Sequence, residues 1–127
     1  MFGEEFNQDV EGVAWRSSLE EMKLGVQFDK PVTAVGWPRH LRRLLFVECF
    51  NQPLVGTSLP DGLEEIVFGK YFDQIVENVS WPSSLRVMVF GECFNQSLVT
   101  VKWPSSLERL QLGTDFDQGV EGLGLPP

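Results

Sequence analysis

The chain has 127 residues, a formal net charge of −8 and 43% hydrophobic residues. That apolar content suits a folded core and excludes a disordered chain, and the acidity argues against a surface that binds nucleic-acid phosphates or an anionic membrane. Apolar runs such as Leu44-Leu45-Phe46-Val47 fall far short of the ~20 residues of a membrane span, and Met1-Phe2-Gly3-Glu4-Glu5 lacks the basic start and apolar stretch of a signal peptide.

In chain order, one pattern returns. Phenylalanine followed by Asn or Asp occurs every 22 residues, at Phe6-Asn7, Phe28-Asp29, Phe50-Asn51, Phe72-Asp73, Phe94-Asn95 and Phe116-Asp117. A single fixed period over a whole chain marks a solenoid, in which each repeat packs on its neighbours. The chain is therefore read as one domain, residues 1–127, with coils of approximately 6–27, 28–49, 50–71, 72–93 and 94–115 and a partial coil 116–127.

Within a coil the first apolar segment is V-x-x-V-x-W, as in Val32-x-x-Val35-x-Trp37 and Val76-x-x-Val79-x-Trp81. The second is L-x-x-L-x-[LF], as in Leu41-x-x-Leu44-x-Phe46 and Leu63-x-x-Ile66-x-Phe68. Both end on the two-residue period of a strand, and no stretch keeps a helical period. Pro38, Pro60, Pro82 and Pro104 close the first segment, since proline removes a ladder donor. Gly25, Gly69, Gly91 and Gly113 close the second, where a turn with positive φ is expected. The pattern predicts two short strands and two corners per coil, with successive coils paired in parallel at ~4.8 Å.

Like residues then stack on like. Phe6, Phe28, Phe50, Phe72, Phe94 and Phe116 would form an interior column. Beside it Asn7, Asp29, Asn51, Asp73, Asn95 and Asp117 alternate between amide and acid. This column is read as a structural ladder that bonds the backbone of adjacent coils, with alternation limiting carboxylate repulsion. A metal site is disfavoured, because carboxylates two coils apart, ~10 Å, cannot share one ion. The following column, Gln8, Lys30, Gln52, Gln74, Gln96 and Gln118, reads as an amide ladder along the same corner.

The motifs L-x-x-L-x-[LF]-G-x-x-F-[ND]-Q and W-P-x-S-L resemble the FNIP-type branch of the leucine-rich repeat superfamily. Phe50-Asn51-Gln52-Pro53-Leu54 and Trp81-Pro82-Ser83-Ser84-Leu85 carry the likeness, with Trp where that pattern usually has Leu. The resemblance implies a mainly β, leucine-rich-repeat-like solenoid of about six coils with parallel β-sheets. It also implies a role in protein–protein interaction and no catalytic residue.

The outward positions of the second segment carry the functional expectation. One column reads Glu20, Arg42, Glu64, Arg86, Glu108 and the next Glu21, Arg43, Glu65, Val87, Arg109. Opposite signs on adjacent strands attract, and a slip by one coil sets like against like. The third column reads Lys23, Leu45, Val67, Val89, Gln111, which places an apolar strip in the middle coils with charge around it. A contiguous apolar surface with a polar rim marks an interaction site. The candidate partner-binding residues are Leu45, Val67, Val89, Val87, Arg42, Arg43 and Arg86, against the plainer reading that β-branched residues simply suit a strand. The partner is expected to be a protein, with no nucleic acid and no membrane.

Other chemistry finds little support. No CxxC, HExxH or phosphate-binding glycine loop occurs, so no cofactor, metal or catalytic residue is expected. His40, the single histidine, sits beside basic residues at a corner. Cys49 and Cys93 share one column two coils apart, ~10 Å, beyond the reach of a disulfide. Free thiols without a signal peptide favour an intracellular location. No capping sequence is recognisable, so a homo-oligomer through the terminal coils is also expected. It would bury Phe2, Phe6 and Val10 at one end or Leu110, Phe116 and Val120 at the other. The alternative function is accordingly a structural or self-assembling module, or a piece of a longer array.

Overall fold

Alternation in the L-x-x-L-x-[LF] segment sends every second side chain inward. In a computed structural model, which describes Trp15 and residues 18–33 and 35–118, that segment is a strand in five successive coils. The strands are β1 (Glu21–Leu24), β2 (Arg43–Phe46), β3 (Glu65–Val67), β4 (Val87–Val89) and β5 (Arg109–Gln111). They form one parallel sheet in chain order, with each residue opposite the one 22 positions on, as in Met22 with Leu44 and Leu44 with Ile66. The architecture is a mainly β, parallel-strand solenoid, of about four turns among the described residues. Phe2, Phe6, Asn7, Val10 and Val120, with the terminal contacts expected of them, lie outside the described residues.

The core is a set of columns. Leu41, Leu63 and Leu85 are fully buried, as are Leu44, Ile66 and Met88 behind the sheet. Phe28, Phe50, Phe72, Phe94 and Phe116 stack ring on ring at 6.0, 5.9, 6.2 and 6.2 Å, with planes within 9° of parallel. A second file, Phe46, Phe68 and Phe90, lies against the first, at 3.9 Å between Phe46 and Phe50 and 4.3 Å between Phe68 and Phe72. Burying each ring contributes about 1.5–3 kcal/mol, and offset aromatic contacts add to that. The interior column expected of Phe28, Phe50 and Phe72 is present.

Two expectations are corrected. The V-x-x-V-x-W segment forms no strand among the described residues, so the coils share one sheet and not two. Its V-x-x-V part closes into a turn, with the Val35 N–H donating to Val32 C=O at 3.2 Å and Val79 N–H to Val76 C=O at 3.3 Å. The proline that follows supplies no donor, and its own carbonyl accepts the next turn, from Leu41 N–H to Pro38 C=O at 3.1 Å. Each of the middle coils therefore has three turns and one strand.

The glycines that follow the strands do not take positive φ; among the described residues only Gly56 does, at 87°. Their reason is steric. A Cβ at Gly69 would sit 1.6 Å from the Val47 carbonyl oxygen, and one at Gly91 would sit 2.3 Å from the Gly69 oxygen. Backbone passes backbone too closely here for any side chain.

Candidate functional site

The outward face of the sheet holds the charged columns. The register puts Glu21 opposite Arg43 and Arg43 opposite Glu65, so each guanidinium lies between two carboxylates. Arg42 Nε donates to Glu64 at 2.9 Å and Nη2 to the other oxygen at 3.3 Å, while Nη1 reaches Glu20 at 3.4 Å. Arg86 grips Glu108 in the same two-pronged way, at 2.8 and 3.2 Å. Arg43 bonds Glu65 at 2.6 Å and also Glu21. The Arg42 hydrogen bond holds the Glu64 carboxyl below the usual glutamate value, and Arg86 does the same for Glu108. Each guanidinium is in turn held above its usual value, foremost by its bond to Glu64, Glu65 or Glu108.

Arg42, Arg43, Arg86 and Val87 line a shallow cleft of about 400 Å³ with their Glu neighbours. Beside it, Leu45, Val67 and Val89 lie along the third outward column and are half-buried. Val87 interrupts the second charged column. Arg109, beyond it, bonds Gln111 at 2.9 Å and meets no carboxylate among the described residues. The strip is thus continuous with the cleft through Val87, with charge on one flank and Lys23 and Gln111 at its ends.

A second ladder runs along the corner after the sheet. Asp29 Oδ1 accepts from Asn51 N–H at 2.9 Å and from the Gln52 side-chain amide at 2.9 Å. Asn51 Oδ1 accepts in the same way from Asp73 N–H and Gln74, both at 2.9 Å. Asp73 takes the same role towards Asn95 at 2.9 Å and Gln96 at 3.0 Å. Asn95 repeats it towards Asp117 and Gln118. Every step uses one oxygen that amide and acid share, so the column tolerates either residue. Another rung comes from Ser84, whose hydroxyl meets the Asp61 and Leu63 carbonyls at 2.5 and 2.6 Å.

The remaining candidates stay apart. His40 is exposed in the Pro38–Leu41 turn. Cys49 and Cys93 are free and half-buried, with Tyr71 between them in the same column. No group of three or more His, Cys, Asp or Glu among the described residues could hold a metal. No helix of the described residues is long and apolar enough to cross a membrane. Sequence reasoning missed the exposed apolar residues outside the sheet, Val55, Tyr71, Ile75 and Val99, which are 46 to 56% exposed. Only Val55 and Val99 share a column, so no periodic signal announced them.

This stack of coils defines the chain as a repeat protein with a leucine-rich-repeat-like fold. Residues 50–93 match the FNIP Repeat family model and are FNIP-repeat sequence, as the Phe-Asn-Gln-Pro and Trp-Pro-Ser-Ser-Leu motifs within them imply. Among solved structures, the chain is similar to one described as the crystal structure of CroV588, a novel circular LRR protein structure. The match covers 98% of this chain at 36% identity with a TM-score of 0.90, and spans 18% of the length of that chain. No curated protein matches the chain.

Proposed function

We propose that the chain is a non-catalytic protein-binding scaffold that engages its partner through the outward face of the sheet. The observation that carries this reading is the continuity of Leu45, Val67 and Val89 with Val87 and the cleft lined by Arg42, Arg43 and Arg86. A flat β-surface offers an apolar centre, and paired charges around it fix orientation more than affinity. The repeat fold favours such a role, because stacked coils present a long continuous surface.

The double substitution Leu45→Glu with Val89→Glu tests it. Immobilised wild-type and variant proteins are compared for capture from the native source, with circular dichroism as the control for folding. Capture lost in the folded variant supports the reading. Equal capture by both, with unchanged sedimentation, overturns it.

A second reading is an array that continues end to end. It is favoured by the match to a small part of a protein described as circular. Under this reading the 22-residue coils number six within this chain, Phe6 opening the first and Phe116 the last, and further coils stack on them. Sedimentation over a range of concentrations tests it: self-association favours assembly, and monomer throughout opposes it.

A further inference from the structure

The turn that follows the proline differs at the third coil. The fourth and fifth coils read Pro82-Ser83-Ser84-Leu85 and Pro104-Ser105-Ser106-Leu107, whereas the third reads Pro60-Asp61-Gly62-Leu63. This is the single Asp-Gly pair of the chain. Both residues are exposed, in a turn that Leu63 N–H closes on Pro60 C=O at 3.2 Å. Neither the Gly62 N–H nor the Asp61 carboxylate bonds any described residue. The other acids of the described coils are placed differently. Asp29 and Asp73 each have Oδ1 held by the next coil, and Lys30 and Gln74 follow them. Asp115 is followed by Phe116, whose N–H is engaged with Gly113 C=O at 3.3 Å.

An aspartate and the amide nitrogen after it can close a five-membered ring, and a glycine there has no Cβ to block the approach. The Gly62 nitrogen adds to Cγ of the neutral Asp61 acid and gives up its proton. The Cγ–OH bond breaks, one water leaves, and a succinimide remains. Water then opens the ring at one of two bonds. Cleavage between Cγ and the nitrogen restores aspartate. Cleavage between the main-chain carbonyl carbon and the nitrogen sends the chain through Cβ and Cγ, which is isoaspartate. The balance is one water lost and one regained, so the mass does not change and no other reagent is needed. The product has one more carbon in the main chain, inside the closed turn. Ser84 Oγ fastens this turn to the fourth coil, at 2.5 Å from the Asp61 carbonyl and 2.6 Å from that of Leu63. The added carbon draws those two carbonyls apart. We propose that Asp61 is a site of spontaneous modification, at which the chain forms isoaspartate and loosens its third coil from the fourth.

The test incubates the whole chain in neutral buffer at physiological temperature and samples it over weeks. Trypsin releases residues 44–70, in which Asp61 is the single aspartate. That peptide should split into two species of equal mass. The second should grow with time and accept methyl groups from S-adenosylmethionine through protein isoaspartyl methyltransferase. Gly62→Ser, which installs the residue of the next two coils, should lose the second species. The site has room for it, because a Cβ there lies 4.0 Å from the nearest oxygens, the carbonyls of Arg39 and Leu41. Asp61→Glu should lose it as well, since its ring would need six members. Circular dichroism checks that both variants fold. Aged wild-type chain should melt below fresh chain, and aged Gly62→Ser should not. A single species throughout overturns the proposal, as does equal splitting in Gly62→Ser or in the peptides that carry Asp29 and Asp73. An aged chain that has split the peptide yet melts as the fresh one does overturns it too.

Discussion

Two ladders run the length of the stack, and they differ in what each rung requires. On the sheet, Glu20, Arg42, Glu64, Arg86 and Glu108 must alternate in sign, because each bond joins a cation to an anion. At the corner, Asp29, Asn51, Asp73 and Asn95 need only an oxygen, because the partners are a backbone N–H and a Gln amide. The sheet ladder is exposed and solvated, so water and salt weaken each of its pairs. The corner ladder is half-buried and lies beside the phenylalanine column, where an unpaired amide costs about 1–3 kcal/mol. Regular charge is thus the more visible pattern and the weaker support.

The contrast can be broken from the inside outward. Phe72→Ala removes a ring that stacks on Phe50 and Phe94 and should cost about 3–5 kcal/mol in urea unfolding. Asp73→Leu leaves Asn95 N–H and the Gln96 amide without their acceptor and should cost about 1–3 kcal/mol by the same measurement. Arg42→Ala should cost less than Asp73→Leu, and less still at high salt, because its ion pairs are exposed. Asp73→Asn keeps the accepting oxygen, so stability should change by less than about 0.5 kcal/mol. A large loss in Asp73→Asn would show that the charge matters and not the oxygen.

Acid sharpens the same comparison. The folded pKa values of Glu64, Glu108 and Glu77 are depressed, the last foremost by the Thr100 backbone N–H. Such groups stabilise the fold above the unfolded value, and the contribution fades as pH falls through the folded one. Unfolding free energy should therefore decline below about pH 4.5, the usual glutamate value. The decline should be shallower in Arg42→Gln, because Glu64 then loses the bond that lowers its pKa.

The columns were legible because identical residues at one spacing can stack in only one way. Phe28 over Phe50 needed no knowledge of the turns. The first segment was misread as a strand because Val35-x-Trp37 has the period of a strand, while the Val32-x-x-Val35 part before it closes a turn. Gly69 was read for its φ when its role is clearance, and a letter in a sequence does not say which property of glycine is used. Thr57 and Leu59 were visible as departures from the Val and Trp columns, and a departure by itself does not say what it does.

The oxygen ladder has an arrow. At every described step the later coil donates the hydrogen bonds and the earlier coil accepts them, from Asn51 back to Asp29 and from Asp117 back to Asn95. A stack built this way has unlike poles, one short of donors and the other short of acceptors. Stacks joined through this ladder would meet head to tail, an arrangement that closes into a ring or runs on as a filament.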